Sequence, residues 1–156
     1  RMKVCQFMAL LEQMRIEEWE YDHDTAYGRV DCVGIYRYTM YWYYSASSVK
    51  ALKISTHVEG TYRNSVYNKT DPKKNVVGKG KIDANTEFRI GMGLFRNPFG
   101  DDGHFAVYVG NYFPGYENAV IESVYGGVII RELSESEAIN GPFTHYGYMK
   151  GIDYTN

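Results

Sequence analysis

Gly103-His104-Phe105-Ala106-Val107-Tyr108-Val109-Gly110-Asn111 is the stretch on which the reading of the fold turns. Between its glycines lies a run of branched, aromatic and small apolar residues, the composition of a buried strand. Working outward, Ala119–Ser123 and Gly127–Leu133 form a second and third β-rich run around Tyr125-Gly126, which predicts a hairpin. Glu87–Arg96 alternates weakly and reads as a further strand, and Gly147–Asp153 adds a last short one. The first part of the chain is different. Residues 2–18 carry Val4, Phe7, Met8, Leu11 and Met14 at three- and four-residue steps, which predicts an amphipathic helix. A loop through Tyr21-Asp22-His23-Asp24 ends near Gly28. A second helix is expected from about 32 to 44, with Asp31 as its N-cap and Ile35, Tyr36, Met40 and Tyr43 on its apolar face. Helices first and an antiparallel sheet second is the pattern of an α+β domain.

The stretch between these halves is less regular. Ser47 and Ser48 mark a turn, residues 58–68 suit a short helix, and 70–86 (TDPKKNVVGKGKIDANT) is polar and loop-like. It reads as a surface excursion, because neither side of it has enough residues for an independent core. A single domain over residues 1–156 is therefore expected.

Net charge is −2, and no Lys/Arg cluster exceeds the Lys73-Lys74 pair with the spaced Lys79 and Lys81. That disfavours a nucleic-acid stripe. No apolar run approaches the ~18 residues a membrane span requires. The opening residues are charged throughout and lack a signal-peptide cleavage pattern. Arg1 ahead of Met2 leaves the export route open. The chain holds 16 Tyr and 16 Gly. Tyrosine suits either strand packing or a sugar- or peptide-binding groove.

Two cysteines make neither a disulfide framework nor a zinc pattern. Cys5 falls in the first helix and reads as a small core residue. Cys32 follows Gly28-Arg29-Val30-Asp31 at the predicted first turn of the second helix, where N–H groups and the helix dipole favour a thiolate. Gly34 keeps the next turn thin enough for a substrate backbone to approach. A thiolate needs a base. Of the four histidines, His104 heads the central strand; His23 and His57 sit in predicted loops, and His145 has no catalytic context. Glu122, on the neighbouring strand, is the candidate to orient the His104 imidazole.

These segments resemble the NlpC-type cell-wall peptidases. Asp31-Cys32-Val33-Gly34-Ile35 is similar to their D-C-S-G-hydrophobic signature, and His104–Asn111 to their H-hydrophobic-G-hydrophobic-Y-hydrophobic-G strand. Val120-Ile121-Glu122 with Gly127-Val128-Ile129 is similar to their third-residue strand and hairpin, and Trp19-Glu20-Tyr21 to their W-x-Y segment. The resemblance spans roughly residues 4–153, loosely over 45–86. It implies a papain-like fold in which a helix bearing the cysteine packs on an antiparallel sheet bearing the histidine. It also implies hydrolysis of amide bonds in peptidoglycan stem peptides, often between D-glutamate and a diamino acid, without a cofactor; the oligomeric state is open, with a monomer as the default.

By the same resemblance Cys32, His104 and Glu122 are catalytic, and Tyr21, Asp31 and Val33 contact substrate. Glu122 and the closing Gly151-Ile152-Asp153-Tyr154 resemble prophage and phage tail or lysis versions. Departures are Val33 for the family's Ser, Ala106 for Gly, Met92 for Asp, and Glu122 for the commoner His, Asn or Gln. Two other readings stand beside this one. One is a non-catalytic wall- or glycan-binding module using the tyrosines. The other is a papain-like amidase or transferase toxin acting on a non-wall amide.

Overall fold

The computed structural model describes residues 1–155. In chain order its elements are β1 (Met2–Lys3), α1 (Val4–Ile16), β2 (Glu20–Tyr21), β3 (Arg29–Val30), α2 (Gly34–Tyr43), α3 (Ala46–Ala51), α4 (Val58–Asn64), β4 (Lys79–Lys81), β5 (Gly93–Arg96), β6 (His104–Gly110), β7 (Ala119–Val124), β8 (Gly127–Glu132), α5 (Leu133–Asn140), β9 (His145–Gly147) and β10 (Ile152–Asp153). Six strands form one antiparallel sheet in the order β4-β9-β5-β6-β7-β8. Two short parallel ladders, β1 with β10 and β2 with β3, tie the rim.

Side-chain alternation assigns the helices to faces. Glu122 and Ser123 are neighbours in β7 and so point to opposite sides of the sheet. Ser123 Oγ donates to the Val30 carbonyl at 2.7 Å, on the side of β3 and α2. Glu122 Oε1 accepts from Ser136 Oγ of α5 at 3.2 Å, on the other side. The helix that follows Cys32 and the helix that backs Glu122 thus sandwich the sheet.

A column of rings fixes α2 against the sheet. Phe7 of α1 meets Tyr36 of α2 edge-on at 6.3 Å between centroids, and Tyr36 meets Phe105 of β6 at 6.4 Å. Phe105 packs on Phe95 of β5 at 5.1 Å, and Phe95 on Tyr62 of α4 at 5.1 Å. Phe7, Tyr36, Phe95 and Phe105 are among the largest fully buried side chains. Hydroxyl tips satisfy backbone carbonyls as this layer closes. Tyr36 donates to Lys150 O at 2.6 Å, Tyr44 to Gly151 O at 2.5 Å and Tyr154 to Gly91 O at 2.7 Å. Many of the tyrosines therefore complete the core.

Several local expectations need correction. The first helix starts at Val4, because Met2–Lys3 pair with Ile152–Asp153. Cys5 is exposed, since the buried stripe of Val4, Phe7, Met8, Leu11 and Met14 lies on the opposite side of α1. Tyr43 is exposed on α2. Of Glu87–Arg96 only Gly93–Arg96 is strand, and Gly147–Asp153 divides into the end of β9, a turn and β10. Ser45 caps a helix where a turn was expected, its side chain accepting from Ser48 N. The polar excursion contributes β4 to the sheet. Leu133 begins α5, whose SESE sequence hides its packing: only Leu133 and Ser136 are buried.

Gly93 shows how closely the strands are filled. A Cβ there would lie 2.6 Å from Met149 Sδ and 2.9 Å from Phe105 Cε1. Gly93→Ala is expected to lower the unfolding free energy by about 1–3 kcal/mol through overpacking. Phe105→Ala, which opens the ring column, is expected to cost about 3–5 kcal/mol. Urea unfolding followed by tryptophan fluorescence checks both.

Candidate active site

Cys32 sits in the turn between β3 and α2, two residues before the first helical residue, Gly34. The helix starts at Gly34 with Val33 as its N-cap, later than the expected start at Cys32 with Asp31 as cap; Asp31 Oδ1 accepts the Gly34 N–H at 2.7 Å from the preceding turn. Gly34 serves packing within the chain. A Cβ there would stand 2.3 Å from Thr25 Oγ1, which shows that the thin turn is filled by the β2–β3 loop. The thiol is partly buried against the core. Burial first, then the Asp31 charge, push Cys32 up to about 12; the backbone N–H groups of Phe105, Val33 and Cys32 itself work in the other direction. The expected thiolate bias of a helix start is thus reversed, because desolvation outweighs the N–H groups and an acid sits alongside.

The Phe105 N–H that reaches the sulfur locates Cys32 relative to the sheet. Pairing of β6 with β7 runs from Val107 toward Gly110. At the opposite end of β6 the Phe105 N–H meets Cys32. A strand's N–H lies near the sheet plane, so the sulfur is held at the sheet's end, beside the residue next to His104.

His104, Glu122 and Arg131 form a row across three strands. The registers Val107↔Ile121 and Val120↔Arg131 put all three on one face, each diagonal to the next. His104 Nε2 lies 2.7 Å from Glu122 Oε1, and Arg131 Nε donates to Glu122 Oε2 at 2.7 Å. Ser136 shares Oε1, and Phe143 stacks on the imidazole at 6.2 Å and 28°. Glu122 is 0% exposed. Burial works to raise its carboxyl, but the hydrogen bond and charge of His104, then those of Arg131, outweigh burial and hold it below the ordinary value. An ionised carboxylate only accepts, so His104 Nε2 carries the proton it shares. Nδ1 is left as the nitrogen that can take one. Arg131, Ser136 and Phe143 were not anticipated from the sequence. Arg131 stands one alternation from Ile130 in an apolar run, and that position was its only signal.

The other expected residues gather near Cys32. Tyr21 pairs with Val30, the residue before Asp31, and burial, then the charges of Cys32 and Asp31, push its hydroxyl up. Tyr21 meets His23 edge-on at 5.5 Å. Asp31 and Val33 line a cavity of about 450 Å³, with His23, Asp24, Thr25, Arg37, Thr56 and His57 on the remaining walls. Val33 is itself buried. His23 and His57, exposed as expected, border this cavity. Residues 45–86 therefore supply one of its walls. His145 lies apart in β9, its Nδ1 2.8 Å from Thr144 Oγ1.

Among the described residues no group of three or more His, Cys, Asp or Glu is placed to hold a metal ion. No helix is long and apolar enough to cross a membrane. The chain matches no protein-family model and no curated protein.

The depressed Glu122 carboxyl has a stability consequence. Its contribution is complete above the unfolded-state pKa of about 4.3 and is lost as pH falls through the lower folded value. Glu122→Gln is therefore expected to flatten the loss of stability on acidification below about pH 5. Urea midpoints of wild type and variant across that range measure the difference.

Proposed function

We propose that this chain is a cysteine hydrolase of papain-like, NlpC-type fold that cleaves amide bonds in the stem peptides of bacterial peptidoglycan. The bond between D-glutamate and a diamino acid is the first to test. One observation carries the reading. An imidazole tethered at Nε2 by a buried carboxylate adjoins the residue whose N–H meets the only partly buried thiol. The segments that resemble the family surround that junction.

In the proposed reaction His104 Nδ1 takes the Cys32 proton as the sulfur attacks the amide carbonyl. Because burial and Asp31 hold the thiol up at about 12, proton transfer and attack are coupled; the resting form is the thiol. The tetrahedral oxyanion is held by N–H groups beside Cys32. Imidazolium Nδ1 returns its proton to the leaving amine, and a thioester remains. His104 then deprotonates a water that attacks the thioester, releasing a carboxylic acid and the free thiol. Glu122 keeps the imidazole in the Nε2–H tautomer throughout, and Arg131 keeps Glu122 charged. Tyr21 and Asp31 contact substrate in this reading.

A second reading, saccharide binding, draws on one surface feature. Trp19, Tyr27, Tyr38 and Trp42 pack on one another with centroids 4.9–6.3 Å apart, and Tyr27 is 62% exposed. Such a platform suits stacking on a sugar ring.

Digestion of purified peptidoglycan, read by mass spectrometry, separates the two. Wild type is expected to release new stem-peptide fragments. Cys32→Ala is expected to release none, and His104→Ala to be slower by about 10²–10⁴-fold. Equal release by wild type and Cys32→Ala would exclude the hydrolase. Wall retention without fragments from any variant would leave the binding module.

A further inference from the structure

A separate cavity of about 530 Å³ opens between α2, α3 and the end of α4. Its size lies within the range of small-molecule sites. Arg37, Lys50 and Lys53 line it, and among the described residues no carboxylate does. Ser55 and Asn64 add neutral polar groups, and the buried Val49 and Ile54 supply an apolar part.

The chain leaves these cations largely unused. Lys50 and Lys53 make no ion pair and no side-chain hydrogen bond among the described residues. Arg37 spends one N–H on the Tyr41 hydroxyl at 3.1 Å, and its buried Nε has no partner among the described residues. The sequence carries the same imbalance on a larger scale. Residues 45–86 hold eight Lys or Arg against Glu59, Asp71 and Asp83, a net charge of +5 within a chain of net charge −2. Two of those acids are already taken, Glu59 by Arg63 at 3.5 Å and Asp71 by Lys74 at 3.9 Å.

The turn that presents Lys53 is fixed at a backbone cost. Lys53 follows the C-cap of α3 with a φ of 56°, the left-handed position where glycine is favoured. Its N–H reaches Lys50 O at 3.1 Å, and the Ile54 N–H reaches Val49 O at 3.2 Å, which closes the helix. Buried Ser65 locks the turn: its Oγ donates to Lys53 O at 3.3 Å and accepts the Ser55 N–H at 3.1 Å. A lysine is thus kept where glycine would sit without strain.

Three cations without an acid call for a multiply charged anion. A carboxylate or a phosphodiester brings one negative charge. A phosphomonoester brings about 1.5–2 near pH 7, with three acceptor oxygens. We propose that this cavity binds a small phosphomonoester, its phosphate held between Arg37, Lys50 and Lys53 and its organic part against Val49 and Ile54. The assignment does not rest on the proposed hydrolase, whose reaction uses none of these residues.

The test is an amide ¹H–¹⁵N NMR titration of the full chain, at fixed pH and ionic strength, with glycerol 1-phosphate, dimethyl phosphate and acetate. Glycerol 1-phosphate is expected to shift residues 37, 41, 49–55 and 64. It is expected to bind at least about tenfold more tightly than either singly charged probe, the equivalent of one charged hydrogen bond. Lys50→Gln and Lys53→Gly are each expected to weaken it about tenfold. Glycine suits the left-handed position, so Lys53→Gly keeps the turn, and lost affinity there reports the lost ammonium. The dispersion of each variant's spectrum reports its folding directly. Equal binding of the three probes, no shift or shifts centred elsewhere, or wild-type affinity in either lysine variant would overturn the site.

Discussion

Phe105 holds the two halves of the molecule in register. Its ring lies between Tyr36 of the cysteine-side helix and Phe95 of the next strand, deep in the core. Its backbone N–H reaches the Cys32 sulfur, at the end of β6 where the β6–β7 pairing does not extend. One residue thus carries both a packing contact and a polar one between elements far apart in the chain. Packing in close-filled interiors is discrete, so a shift of α2 along the sheet would break both together. The position of the thiol beside the histidine strand follows from that constraint.

The charges around this junction divide into two layers. On one face of the sheet Glu122 is buried but fully engaged: His104, Arg131 and Ser136 occupy its oxygens. A carboxylate with that many partners tolerates burial and stays ionised. At the end of the sheet Cys32 has N–H groups around it but loses more from burial and from Asp31. The asymmetry gives the imidazole a fixed tautomer and leaves the thiol protonated at rest. Under the proposed chemistry the nucleophile is made during attack, which suits a partly buried thiol better than a standing thiolate does.

Residues 45–86, of which 70–86 read as a surface excursion, are structural. Their α4 delivers Tyr62 to the ring column, their β4 joins the edge of the sheet, and Thr56-His57 wall the cavity next to Cys32. The helix was expected over 58–68, but neither β4 nor the cavity wall stands out by local pattern. Lys79–Lys81 pairs with β9 although its KGK sequence has no β propensity, because the partner strand supplies the ladder.

What the sequence determined by itself was whatever repeats locally. The stripe of α1 follows from three- and four-residue steps, and the strand from His104 to Gly110 and the turn at Tyr125-Gly126 from β-forming runs bounded by glycines, which need no distant partner. The choice of Cys32, His104 and Glu122 as candidates also came from residue type and order along the chain. Tertiary structure alone decided which groups meet. Arg131 reaches Glu122 because of a strand register, Ser136 because a polar helix folds back over the sheet, and Phe143 because the chain then returns over His104. It also exposed Cys5 and pushed the Cys32 thiol up, since burial is a property of the packed molecule and leaves no mark on the residues one by one.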